Sequence, residues 1–109
     1  MARTGGGMSY ARRVDANHAD IATALREGGA VVVDTSHFGQ GIPDLWVTSH
    51  AFTGWLEIKD GSKPPSARKL TPAEEKFFAT VNRGRETHAH IVLSVPEAMR
   101  LVFGFKVTV

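Results

Sequence analysis

The sequence predicts an α/β domain in which a small mixed sheet is flanked by helices, with elements in the order α, β, β, β, α, β, α. Three observations predict it. A helical stripe stops at Gly28-Gly29 and gives way to Val31-Val32-Val33. Two strand-like runs, at 44–48 and 54–59, flank a turn. Two segments with capping-box spacing, Thr71-Pro-Ala-Glu74 and Ser94-Val-Pro-Glu97, each open a further apolar stripe. A chain of 109 residues, 42% of them hydrophobic, suits one small domain of two packed layers.

Residues 1–13 include Gly5-Gly6-Gly7 and little that is apolar, so they are expected to be a flexible tail before a single domain at 14–109. In the first helix, 15–27, the apolar residues Val14, Ile21, Ala24 and Leu25 fall at three- and four-residue intervals, and the Gly28-Gly29 pair supplies a left-handed stop. The β-branched run at 30–35 suits a strand buried on both faces. Residues 36–42 hold two glycines and no periodicity, which predicts a loop. Strands at 44–48 and 54–59 follow, joined through 50–53. The 61–69 segment, with Pro64-Pro65, two serines and three cations, predicts an exposed loop. Thr71 should cap a helix to about Asn82 with Phe77, Phe78 and Val81 on its apolar face. A fourth strand at 88–94 centres on Ile91 to Leu93, a third helix carries Ala98, Leu101 and Val102, and 103–109 would end the chain as an edge strand broken at Gly104.

Composition excludes several classes of function. The chain has no cysteine, which removes disulfides, thiolate zinc sites, catalytic cysteines and iron–sulfur clusters. Any metal must rest on carboxylate, imidazole or carbonyl ligands. A net charge of +2 permits a polyanionic partner without predicting one. No apolar run approaches the ~20 residues of a membrane span, and the N-terminus has no apolar core of a signal peptide, so the expected location is cytoplasmic, with no membrane partner.

The chemistry concentrates in Gly41-Ile-Pro-Asp44 and, after twelve residues, Glu57-Ile-Lys59. Side chains at i and i+2 of a strand share a face, so Glu57 and Lys59 project together. An antiparallel hairpin across the turn would bring Asp44 level with them. Two acids and a lysine then converge. Hard divalent cations prefer such carboxylate oxygens and activate phosphates, and lysine complements the developing charge. No Ser/His/Asp or HExxH arrangement competes, and Asp44 occupies the place where a GxGxxG fingerprint would need its last glycine.

At these residues the chain resembles the PD-(D/E)XK nuclease superfamily, with Pro43-Asp44 as the PD element and Glu57-Ile58-Lys59 as the (D/E)XK element. Asp15-Ala-Asn-His-Ala-Asp-Ile21, Leu25-Arg-Glu-Gly28, Gly41 to Leu45, Leu56 to Lys59 and Leu70 to Phe77 follow the order of its VRR-NUC branch and of small phage-type Holliday junction resolvase-like relatives, over about residues 14–101. The resemblance implies a restriction-endonuclease-like αβββαβ core and a Mg²⁺- or Mn²⁺-dependent endonuclease acting on branched DNA. It implies that Asp44, Glu57 and the backbone carbonyl of Ile58 hold the metal, that Lys59 orients the nucleophilic water or stabilises the transition state, and that an acid of the first helix, Asp15 or else Asp20, completes the site. Relatives commonly carry glutamine where His18 stands and another near Glu74, and the chain departs from the pattern at both.

Other features have two explanations each. Asp15 suits a helix N-cap as well as a catalytic site, and Glu74 suits the capping box better than catalysis. Arg12 and Arg13 before the first helix, with Lys63, Arg68 and Lys69 after the motif strand, would line a DNA path, which Arg83 and Arg85 could extend, or simply keep the surface solvated. Trp46 and Trp55 have the parity of the acidic face and either stack on substrate or pack. His88 and His90 share a strand face and His37 lies in the loop before Asp44, all three more readily solvated than functional. Small size favours a homodimer, which would give two symmetric sites for two duplex arms. A DNA-binding module without activity and an interaction protein with a basic surface are the rival functions.

Overall fold

The computed structural model describes residues 16–84 and 87–104. Asp15, Arg12, Arg13, Arg85 and the 105–109 part of the expected last strand lie outside the described residues. Within them the elements are α1 (Ala16–Glu27), β1 (Val31–Asp34), β2 (Leu45–Thr48), β3 (Thr53–Ile58), a 3₁₀ turn (Pro65–Arg68), α2 (Pro72–Val81), β4 (Ala89–Val92) and α3 (Val95–Phe103).

Local chemistry sets the boundaries. At the end of α1 the Ala30 amide reaches Leu25 O and the Gly29 amide reaches Arg26 O, with Gly29 at φ 107°. This paired closure needs a left-handed residue that glycine adopts without a steric penalty. Thr71 and Glu74 complete a capping box at α2. At α3 Ser94 caps the Glu97 amide, but the Glu97 carboxylate reaches the Leu93 amide, one residue before the cap. Phe103 closes α3 and is buried, with Gly104 at φ 70° as its cap, so no strand starts at 103.

The four strands form one mixed sheet in the order β1-β2-β3-β4. β1/β2 and β2/β3 are antiparallel, and β3/β4 are parallel, joined by a crossover through α2. One face buries Val32, Leu45, Val47, Leu56, Ile58 and Val92 against Ile21 and Leu25 of α1 and Ala98 and Val102 of α3. The other carries Trp46 and Trp55, direct partners in the register, with Phe77 of α2 edge-on to Trp55. β1 differs from its expected burial on both faces: Val32 is buried, but Val31 and Val33 are 60% and 45% exposed. The strand lies at the sheet edge, and α2 packs over β3 and leaves the Val31/Val33 face uncovered. Arg26 donates to Val32 O, covering one backbone acceptor of this edge. Among the described residues no helix is long and apolar enough to cross a membrane.

Candidate active site

Asp44 enters the site from a tightly held approach. The Gly39–Ile42 turn closes with Ile42 N to Gly39 O at 3.1 Å, and Gln40 and Gly41 at its centre have φ 59° and 81°. Two positive φ values in succession define a type I′ turn. Gly41 lies directly against the Ala73 backbone, where a Cβ would overlap the carbonyl group, so the first turn of α2 rests on it. Beyond the turn, buried Thr35 fixes the chain by donating its hydroxyl to Pro43 O at 2.7 Å and its amide to Asp44 O at 2.9 Å. Asp44 Oδ2 then accepts the Ile58 amide at 2.8 Å.

Leu45 pairs with Leu56, so continuing the same register sets Asp44 opposite Glu57 on the face that α2 covers. Glu57 is 4% exposed. Lys59, one pleat further, has its ammonium 3.3 Å from Glu57 Oε2 and 3.2 Å from Glu74 Oε1. Glu74 Oε1 also accepts the Thr71 amide at 2.9 Å, so one oxygen both caps α2 and ties it to the strand motif. Two carboxylates therefore hold one ammonium, and the third, Asp44, feels its charge.

The electrostatics follow from that imbalance. Burial, reinforced by the charges of Asp44 and Glu74, pushes the Glu57 carboxyl up to about 8 against the pull of Lys59. Burial also raises Asp44, opposed by the Ile58 hydrogen bond and by the charges of His18 and Lys59. Burial works to lower Lys59, but Glu57 and Glu74 more than offset it and the ammonium is held above its usual range. Two facing acids whose carboxyls are both raised by burial are short of positive charge, which a divalent cation would supply to the oxygen donors it prefers. Asp44 and Glu57 thus have donor chemistry suited to a hard divalent cation. Among the described residues no group of three or more His, Asp or Glu is gathered as a ligand cluster.

The remaining candidates separate. In the 61–69 segment, which includes the 3₁₀ turn, Lys63 and Lys69 are exposed, and Arg68 is half-buried with its Nε lacking a hydrogen-bond partner among the described residues. Asp20 is exposed on α1, and Arg83 is exposed just after α2. Trp46 and Trp55 lie on the acidic face, half-buried and 5.0 Å apart, packed on each other. His37 is exposed, edge-on to Phe38. His90 packs on Phe52, and its Nε2 lies 3.2 Å from Thr87 O.

Two residues gain roles that the sequence did not signal. Asn17 donates to Lys59 O and Leu93 O, pinning α1 across the ends of β3 and β4. His18 is buried, its Nε2 3.9 Å from Asp34 Oδ1 and without a hydrogen-bond partner among the described residues, and it opposes the rise of the Asp44 carboxyl. Their signal is positional, within the first turn of α1, and becomes legible only once α1 is laid across the strand ends. In comparisons with protein families, with curated proteins and with solved structures, nothing matches the chain.

Proposed function

We propose that the chain is a Mg²⁺- or Mn²⁺-dependent DNA endonuclease of PD-(D/E)XK type with a restriction-endonuclease-like core, acting in the cytoplasm on branched DNA as a homodimer. One observation carries it: Asp44, Glu57 and Lys59 converge on adjacent strands with Glu57 buried and its carboxyl raised to about 8. A surface ion pair would gain little from that arrangement, whereas a metal and a phosphodiester would both use it.

In this assignment Asp44, Glu57 and the Ile58 carbonyl hold the metal, which when bound polarises the phosphate as a Lewis acid. Asp44 is kept on the metal side by the Ile58 amide. Lys59, steered by Glu57 and Glu74, holds the attacking water or the charge that grows on phosphate as water adds and the leaving oxygen departs. Lys63 and Lys69, exposed in the segment that follows β3, are assigned to the duplex backbone in this reading. Preference for branched DNA is supported by the lack of an obvious base-reading module, and the homodimer by the limited surface that so small a domain offers two duplex arms.

Cleavage of linear, flap and four-way DNA with Mg²⁺, Mn²⁺ or EDTA tests this directly. Wild type should cut a branched substrate only with metal. Asp44→Asn and Glu57→Gln should each abolish cutting yet keep DNA binding, because each removes a charged oxygen at nearly constant volume. Cutting in EDTA, or by either variant at the wild-type rate, refutes the metal site. Binding without cutting in both metals would leave a DNA-binding module.

A further inference from the structure

A groove of about 330 Å³ runs between the Gly39–Ile42 turn and the side of α2, near the lower end of the ~300–1,000 Å³ typical of small-ligand sites. Its floor is apolar, from Ala73, half-buried Phe77 and half-buried Val81, and its rim is polar, from Gln40, Lys76 and Thr80. Its lining connects to the candidate site through the backbone: Gly41, next to Gln40, packs on Ala73, and Ala73 is followed by Glu74, whose carboxylate accepts from Lys59.

Gln40 is the second observation. It has φ 59°, the one non-glycine positive φ among the described residues, at a type I′ position where glycine, asparagine or aspartate is usual. Its side-chain amide makes no hydrogen bond to the described residues. Strain of this kind persists where the surrounding structure imposes it, and it clusters at active sites and ligand clamps. An amide offers both a donor and an acceptor to the edge of a flat heterocycle, Phe77 and Val81 offer an apolar wall, and the Lys76 ammonium suits the adjoining phosphate.

We propose that this groove is a nucleobase subsite, which takes an unpaired base beside the scissile phosphate with Gln40 hydrogen-bonding the base edge. The proposal rests on the nuclease assignment and narrows its substrate to strands with an unpaired base at the cut. A paired base keeps its faces stacked and its edge occupied, so it cannot offer them to the groove.

The test is equilibrium binding of the full chain, in EDTA, to forked DNA whose unpaired arm carries one abasic nucleotide at successive positions. One position should cost wild type on the order of tenfold in affinity, as the loss of a single stacked base does, with the other positions near neutral. Gln40→Gly should keep or raise Tm by relieving the positive φ, yet bind intact forked DNA more weakly and lose most of the sensitivity at that position. Equal affinity at every abasic position overturns the subsite and leaves the nuclease assignment standing. Full sensitivity in Gln40→Gly overturns the role of Gln40. No affinity for intact forked DNA overturns the nuclease assignment and the subsite with it.

Discussion

Lys59 stands between two carboxylates with different commitments. Glu57 is buried within β3, while Glu74 shares the same oxygen with the cap of α2. The ammonium is therefore oriented from both the sheet and the helix, and its charge is kept by neighbours that hold it above its ordinary range. A donor fixed in advance helps most where charge develops during reaction. Lys59→Ala should lower the single-turnover cleavage rate by about 10²–10³, the usual cost of one lost transition-state donor, with DNA affinity within a few-fold of wild type. Lys59→Arg should recover little, since a planar fork cannot occupy the compact ammonium position between Glu57 and Glu74. Single-turnover rates and equilibrium binding of both variants check this. Full activity in Lys59→Ala removes the lysine from the mechanism, and equal losses of rate and affinity reduce it to a phosphate clamp.

At the scale of elements, the contact that assembles the site is the seat of α2 on the Gly41 turn. Gly41→Ala meets two obstacles, a φ of 81° and the Ala73 carbonyl group. It should cost about 1–3 kcal/mol and shift Glu74 from Lys59, so that Tm and cleavage both fall. Thr71→Ala removes only the cap hydroxyl at about 1 kcal/mol and should leave more activity; thermal unfolding and cleavage rates of the two variants check the order. That contrast also marks what the sequence can reveal. The order of elements was legible because its causes are local: the glycine pair closing α1, the Thr71 box and the two-residue alternation that puts Glu57 beside Lys59. Asp44 opposite Glu57 was legible as soon as a hairpin was assumed. Uncovered Val31 and Val33 were not, because three valines look alike at an edge or a centre and only the lateral position of α2 decides. Nor was the second bond of Glu74 legible, since a complete capping box leaves no local reason to seek another partner for the same oxygen. His18 was flagged by its departure from glutamine, but its burial beside Asp34 and near Asp44 depends on how α1 crosses the strands.

For the molecule as a whole, the acidic site ties folding to protons and, on the proposed assignment, to metal. Unfolded, Glu57 titrates near its ordinary value of 4.5, whereas folded it holds its proton to about 8. Between these values the folded chain binds more protons than the unfolded one, so stability without metal must fall as pH rises from about 4.5 to about 8. At about 1.4 kcal/mol per unit of displacement the loss is on the order of a few kcal/mol, large against the marginal stability of so small a domain. A divalent cation has the opposite dependence, because it binds the ionised carboxylate and must displace the proton at lower pH. In EDTA, Tm should therefore decline from pH 6 to pH 8, and the rise in Tm on adding Mg²⁺ should grow over the same interval. Glu57→Gln should flatten both profiles by removing the titrating group. Asp44→Asn should shift the EDTA decline to lower pH, since one of the charges that raise Glu57 is gone, while losing most of the Mg²⁺ increment. Thermal scans of the three proteins across that range, with and without metal, are the measurement. An EDTA profile that climbs from pH 6 to pH 8, or a Mg²⁺ increment that stays constant with pH, would show that Glu57 is ionised throughout and that no proton stands where the metal is assigned.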